Sequence, residues 1–155
     1  MLSGLGAELK QTKPFESLEA EAVLSIARTA AALEHRISQA LKAHGLTLSQ
    51  YNVLRILRGA GTDGLCRNEV GSRLVAQVPD VTRLLDRMEE TGLISRQRGS
   101  EDRRYVTTRI TRRGLELAGK LDKPMHDLHQ SQLGHVNKKT LRTLIDALAE
   151  VRAGL

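Results

Sequence analysis

The chain has 155 residues, 40% hydrophobic and 27% charged, which suits one folded domain and excludes a disordered one. No stretch approaches the roughly 20 apolar residues of a membrane span, and the first fifteen residues lack the apolar centre of a secretory signal, so a cytoplasmic protein that does not engage membranes is expected. The lone Cys66 excludes an intrachain disulfide and a cysteine zinc cluster, three aromatics are too few for a single-strand stacking platform, and a net charge of +6 points to a polyanionic partner.

Residues 1–16 read as an irregular arm ending near Pro14. Ser17 is placed to cap a helix, with Glu19 and Glu21 in its first turn. Val23, Ile26, Ala30, Leu33, Ile37 and Leu41 then step by three and four, predicting one long amphipathic helix stopped by Gly45. Thr47 and Gln50 have capping-box spacing for a second helix, with Leu48, Val53, Leu54 and Leu57 inward and glycines 59 and 61 at its end. A loop from Gly61 to Gly64 leads to a short third helix over Arg67 to Leu74, with Val70 and Leu74 inward. Gly71 should weaken it slightly.

The fourth helix has the clearest pattern. Pro79 suits its first helical position. Val81, Leu84, Leu85 and Met88 lie at i, i+3, i+4 and i+7 and form one apolar stripe. Asp80, Thr82, Arg83, Asp86, Arg87 and Glu90 remain on the outer face, and Thr91-Gly92 ends the helix. The period then changes from 3.6 to about 2. Leu93 to Arg98 predicts a strand, Gly99 to Asp102 a turn, and Val106, Thr108 and Ile110 alternate in a returning strand. Thr111 caps a fifth helix carrying Leu115, Ala118, Leu121 and Leu128, with a kink expected at Pro124. Asn137 caps a last helix with Leu141, Leu144, Ile145, Leu148 and Val151 on one face.

Charge concentrates in the hairpin. Between Ser95 and Arg113 stand seven arginines against two acids, five of the six net positive charges in nineteen residues. Lysine is absent between Ala43 and Gly119, while thirteen of the seventeen arginines fall there. Arginine's planar fork suits guanine edges, phosphates and narrow minor grooves; a genome rich in arginine codons is the plainer explanation, but it leaves the position of the seven lysines unexplained. A short helix, a turn, a helix polar on its outer face and a basic hairpin, in that order, make a winged helix-turn-helix. The apolar stripe must be buried, so the polar face is the one left to read a groove.

In this order, Leu74, the run Val81 to Glu89, Gly92-Leu93-Ile94-Ser95-Arg96, Asp102-Arg103-Arg104 and Ile110-Thr111-Arg112-Arg113-Gly114 resemble the MarR family of bacterial transcriptional regulators. The likeness is close from about Leu46 to Leu121. Val70-Gly71 departs from the Leu-Ala usual in the third helix, and the reactive cysteine that peroxide-sensing members carry in their N-terminal helix has no counterpart. The resemblance implies a mostly α fold with a small β-hairpin wing and N- and C-terminal dimerisation helices. Its parts would be an arm at 1–16, a dimerisation helix at 17–44, the winged lobe at 45–114 and dimerisation helices at 115–155, forming one compact domain. It also implies a homodimer on a pseudo-palindromic operator in double-stranded DNA, acting as a ligand-responsive repressor, nucleoid-associated within the cytoplasm. A small aromatic or anionic effector would bind between the dimer helices and the lobe.

On these grounds Gln77, Asp80, Thr82 and Arg83 are expected to reach the major groove, with Arg83 able to take both guanine acceptors and Arg87 meeting phosphate. In the wing, Arg104 occupies the family's minor-groove position, Asp102 orients it, and Arg96, Arg98 and Arg103 contact DNA, the last two through the backbone. Arg112-Arg113 either meet phosphate or solvate a helix start. Arg28, Arg36 and Tyr51 are the effector-pocket candidates, with water-facing arginines the favoured alternative. Cys66 near a helix start is either a redox switch or, in the favoured reading, a small packed residue. Asp122, His126 and His129 at i, i+4 and i+7, with His135 nearby, are a solvated or dimer-facing group rather than a metal site. No cofactor, metal or catalytic residue is expected, because no phosphate loop, Gly-x-Ser-x-Gly or His-Glu-x-x-His occurs. The rival reading is a protein-interaction module on the same core, which would leave an apolar patch where the arginines stand.

Overall fold

Helix starts are set by side chains that satisfy otherwise free amides. Ser17 accepts from the Ala20 amide at 3.1 Å, Asp80 from Arg83 at 2.9 Å, Thr111 from Gly114 at 3.1 Å and Asn137 from Thr140 at 2.9 Å. The computed structural model describes residues 4–99 and 105–155. Its helices are α1 (Gly4–Glu8), α2 (Leu18–Lys42), α3 (Leu48–Ala60), α4 (Arg67–Arg73), α5 (Val81–Glu90), α6 (Arg112–Leu133) and α7 (Lys138–Ala153). Its strands are β1 (Leu65–Cys66), β2 (Ile94–Arg98) and β3 (Val106–Ile110). The fold is mostly α with a small antiparallel sheet, and the chain divides into two units, Met1–Leu48 and Ser49–Leu155.

Two local expectations are corrected and one strand is added. The arm is not wholly irregular, since Gly4–Glu8 is helical. Pro79 does not open α5; Asp80 takes the cap, and its carboxylate is turned back onto the helix. Leu65–Cys66, between the loop expected at 61–64 and the helix expected at 67–74, forms a third strand, giving the order β1-β3-β2 with Leu65 opposite Thr108 and Ile94 opposite Ile110. Gly64 makes that pairing possible. At φ +70° it occupies the left-handed region, and a Cβ there would lie 2.5 Å from the Thr108 carbonyl oxygen.

The core of the second unit comes from α3 to α6 and the sheet between them. Val53, Leu54 and Leu57 of α3, Val70 of α4, Leu85 and Met88 of α5, Ile94 of β2, and Ala118, Leu121 and Met125 of α6 are buried. Leu115, expected inward on α6, is exposed. In the first unit α2 leaves Val23, Leu24 and Ile26 exposed, and α7 in the second has no buried residue.

Candidate nucleic-acid interface

Burial of Leu85 and Met88 fixes the rotation of α5 and leaves Thr82, Arg83 and Arg87 exposed, with Gln77 and Asp80 exposed just ahead of it. Among the described residues the side chains of Arg83 and Arg87 make no hydrogen bond or ion pair. Two exposed guanidiniums thus lie four residues apart on one face, one turn from each other. The Asp80 carboxylate holds the Arg83 amide, so Asp80 starts the helix that carries Arg83.

The helix ends so that the wing follows without a linker. The Gly92 amide donates to the Glu89 carbonyl at 2.9 Å and the Leu93 amide to the Met88 carbonyl at 3.0 Å, a Schellman closure with Gly92 at φ +72°. The Leu93 carbonyl accepts from the Thr111 amide at 3.1 Å, and the Thr111 hydroxyl donates to the Gly92 carbonyl at 2.7 Å. The end of α5, the base of the hairpin and the start of α6 are therefore one hydrogen-bonded junction. At the other end of the hairpin the Gly99 amide donates to the Tyr105 carbonyl at 2.8 Å, and Arg98 is exposed. Asp102, Arg103 and Arg104 lie outside the described residues.

Arg96 is half-buried against α5. Its Nη2 is 2.6 Å from Asp86 Oδ1 and 2.7 Å from Glu89 Oε2, and its Nε donates to Glu89 Oε2 at 2.9 Å. The Glu89 carboxylate, assisted by Asp86, holds the Arg96 guanidinium above its already high ordinary value. The guanidinium is thus engaged in an internal ion pair. Arg109 is tied inward as well, donating from Nε to the Thr62 carbonyl at 2.7 Å. Arg112 pairs with Glu116 at 3.0 Å, while Arg113 is exposed.

One contributor was missed in the sequence. Arg67 begins α4, and its Nη1 lies 3.2 Å from the Thr82 hydroxyl. Arg67, Asn68, Ser72, Asp80 and Thr82 border an open cleft of about 470 Å³. The available signal was that Arg67 belongs to the lysine-free, arginine-rich stretch. A second cleft of about 510 Å³ is bordered by Cys66, Arg67, Thr82, Arg96 and Tyr105.

Arg28 and Arg36 belong to the first unit, whereas Tyr51 is buried in α3 and its hydroxyl accepts from Arg55 at 3.3 Å. Cys66 is half-buried at the start of α4, where its amide donates to Glu69 Oε2 at 2.7 Å; that bond holds the Glu69 carboxyl below its ordinary value. Asp122 is engaged by Arg58 through both oxygens, at 2.8 and 3.0 Å, which lowers its carboxyl below the ordinary 3.8. His126 and His129 are exposed, and the described residues contain no cluster of three or more potential metal ligands.

Residues 46–106 match the profile of the MarR family. The HTH-type transcriptional regulator TtmR of Methylorubrum extorquens (strain PA1) is 34% identical over 140 residues, which are 88% of this chain and 68% of that protein. The chain belongs to the MarR family. A MarR transcription factor from Planctomyces limnophilus is 36% identical and superposes with a TM-score of 0.68 over 87% of this chain and 98% of that one. The MepR–DNA complex of S. aureus shares the fold at 20% identity, with a TM-score of 0.78 over 86% of this chain and 97% of that one. As a MarR-family winged-helix protein the chain is a DNA-binding transcriptional regulator and not an enzyme. No described helix is long and apolar enough to cross a membrane.

Proposed function

We propose that the protein is a cytoplasmic, nucleoid-associated homodimer that binds a pseudo-palindromic operator, represses the adjacent genes and responds to a small aromatic or anionic effector. The observation that carries the DNA reading is the outer face of α5, where Arg83 and Arg87 stand exposed and, among the described residues, without side-chain partners while Leu85 and Met88 are buried. An α-helix held by its apolar side presents its polar side to the major groove. Arg83 and Thr82, with Gln77 ahead of the helix, read base edges; Arg87 and Arg67 meet phosphate. Arg98 and Arg103 contact the backbone beside the groove, and Arg104, oriented by Asp102, enters the minor groove. The rival interaction-module reading is disfavoured because exposed arginines, Arg83, Arg87 and Arg98, stand where such a module would leave an apolar patch.

Dimerisation is supported by α7, whose Leu144, Ile145 and Val151 are 45%, 52% and 48% exposed, and by the bare apolar positions of α2. A chain of this size does not ordinarily leave two apolar helix faces in water. Arg28 and Arg36 of the first unit are the candidates for an effector's anionic group, as the family likeness suggests. Melting temperature and operator affinity in millimolar salicylate test that part, and both are expected to change.

The test of the DNA reading separates base contacts from backbone contacts. Arg83→Ala should cost about 1–3 kcal/mol on the selected duplex and relax preference at one position per half-site. Arg103→Ala should weaken all duplexes alike and reduce the salt slope by about one unit. Asp102→Ala should weaken binding although it removes a negative charge. Identical losses for Arg83→Ala on selected and unselected duplexes would remove α5 as the reading element.

A further inference from the structure

We infer that Arg96 is a positioning residue which, clamped by Glu89 and Asp86, fixes the wing strand on the recognition helix without itself touching DNA. This rests on the DNA-binding reading above and names the contact that holds its two reading elements in register.

The sheet order leaves β2 as an edge strand, bonded to β3 on one side only. The Leu93 carbonyl and Gly99 amide face β3, so alternation along the strand turns the Arg96 amide to the open edge. Glu89 of α5 covers that amide, accepting from it through Oε1 at 2.9 Å. Its other oxygen takes the guanidinium through Nε at 2.9 Å and Nη2 at 2.7 Å. Asp86, one turn earlier on the same helix, accepts from Nη2 at 2.6 Å.

Two features distinguish this from an ordinary surface ion pair. One carboxylate grips both the backbone and the side chain of the same residue, so the strand cannot slide along α5 without breaking both. The Arg96 side chain is only 24% exposed, and the guanidinium faces two acids, so the trio carries net charge −1. Such a group adds nothing to the attraction for phosphate. It acts through geometry, since Arg83 on the helix and Arg98 on the strand must meet one duplex together.

The full-length protein first enriches a duplex from a random-sequence library, and affinities for that duplex are then measured. Glu89→Gln should weaken binding about three- to tenfold although a negative charge is lost. Arg96→Lys, which keeps the charge but loses the chelate, should do the same. Arg96→Gln in the Glu89→Gln background should add less than about a twofold further loss, because the two act as one unit. Exchange of the Arg96 amide in the free protein should quicken in Glu89→Gln. Glu89→Asp keeps every charge and only shortens the reach, so it carries the test should the other variants fold poorly; it should also weaken binding. Tighter binding by Glu89→Gln, unchanged binding by Arg96→Lys, or additive losses would overturn the inference and return Arg96 to the phosphate contacts. A wild-type protein that enriches no duplex would overturn the DNA-binding reading instead.

Discussion

Two glycines five residues apart on α6 should respond to alanine with opposite signs. At Gly114 a Cβ would lie 2.3 Å from the Leu93 carbonyl oxygen, 2.8 Å from Ile110 Cγ1 and 3.3 Å from Leu54 Cδ2. Contacts of a real Cβ rarely fall below about 3.0 Å, so the helix start and the hairpin base must part by at least about 0.7 Å. The Leu93 oxygen that would be displaced is the acceptor of the Thr111 amide, and Thr111 is the cap of α6. Overpacking of this kind costs about 1–3 kcal/mol, and a disturbed cap and hydrogen bond about 1 kcal/mol each. Against this stands the gain of roughly 1 kcal/mol from replacing a helical glycine with alanine. Gly114→Ala should therefore lose about 3 kcal/mol, a large share of the roughly 5–15 kcal/mol that holds a domain. At Gly119 nothing lies within 4 Å of the added carbon, so Gly119→Ala should gain about 0.5–1 kcal/mol. Urea unfolding at one fixed protein concentration measures both, since a dimer's midpoint depends on concentration. Shifts of the same sign and similar size would refute the packing argument.

Asp80→Asn should leave stability within about 0.5 kcal/mol, because asparagine caps as well as aspartate, whereas Asp80→Ala should lose about 1 kcal/mol in thermal unfolding. The asparagine variant should also bind every duplex slightly more tightly, having lost a negative charge beside the groove; altered base preference would restore Asp80 as a reader. The Asp122 carboxyl is held below 3.8 by Arg58, so its contribution to stability is full above that value and fades as pH falls through the lowered one. Asp122→Asn should therefore destabilise most near neutral pH and converge with the wild type in strong acid, which urea midpoints across pH would check. Leu144→Asp with Ile145→Asp should leave particles of about the 17.1 kDa chain mass, or unfolded chains, in light scattering, where the wild type shows twice that mass.

Much of the lobe was legible because its signals are local. Val81, Leu84, Leu85 and Met88 mark a stripe in eight residues, and the structure buries Leu85 and Met88. Ser17, Thr111 and Asn137 were legible as caps because a cap needs only a partner three residues on. What escaped depends on long-range geometry. β1 has two residues, too few for any period, and exists because β3 returns beside it. Arg96 read as one of seven basic residues, yet its partners lie seven and ten positions earlier, across a helix end and a reversal of the chain. Only the placement of Asp86 and Glu89 one turn apart hinted at a clamp. Asp80 and Pro79 compete for the helix start, and the carboxylate's bond to the Arg83 amide decides it.

The central claim is that the arginine-bearing face of α5 and its wing recognise a particular duplex. The direct measurement is equilibrium binding of the full-length protein to an enriched duplex and to a scrambled one of equal length, across a series of salt concentrations. The enriched duplex should bind at least about 10³-fold more tightly, at two chains per duplex, and its affinity should fall steeply with salt, by about 0.9 logarithmic units per phosphate contact for each tenfold rise. Equal affinities that do not respond to salt would contradict the account.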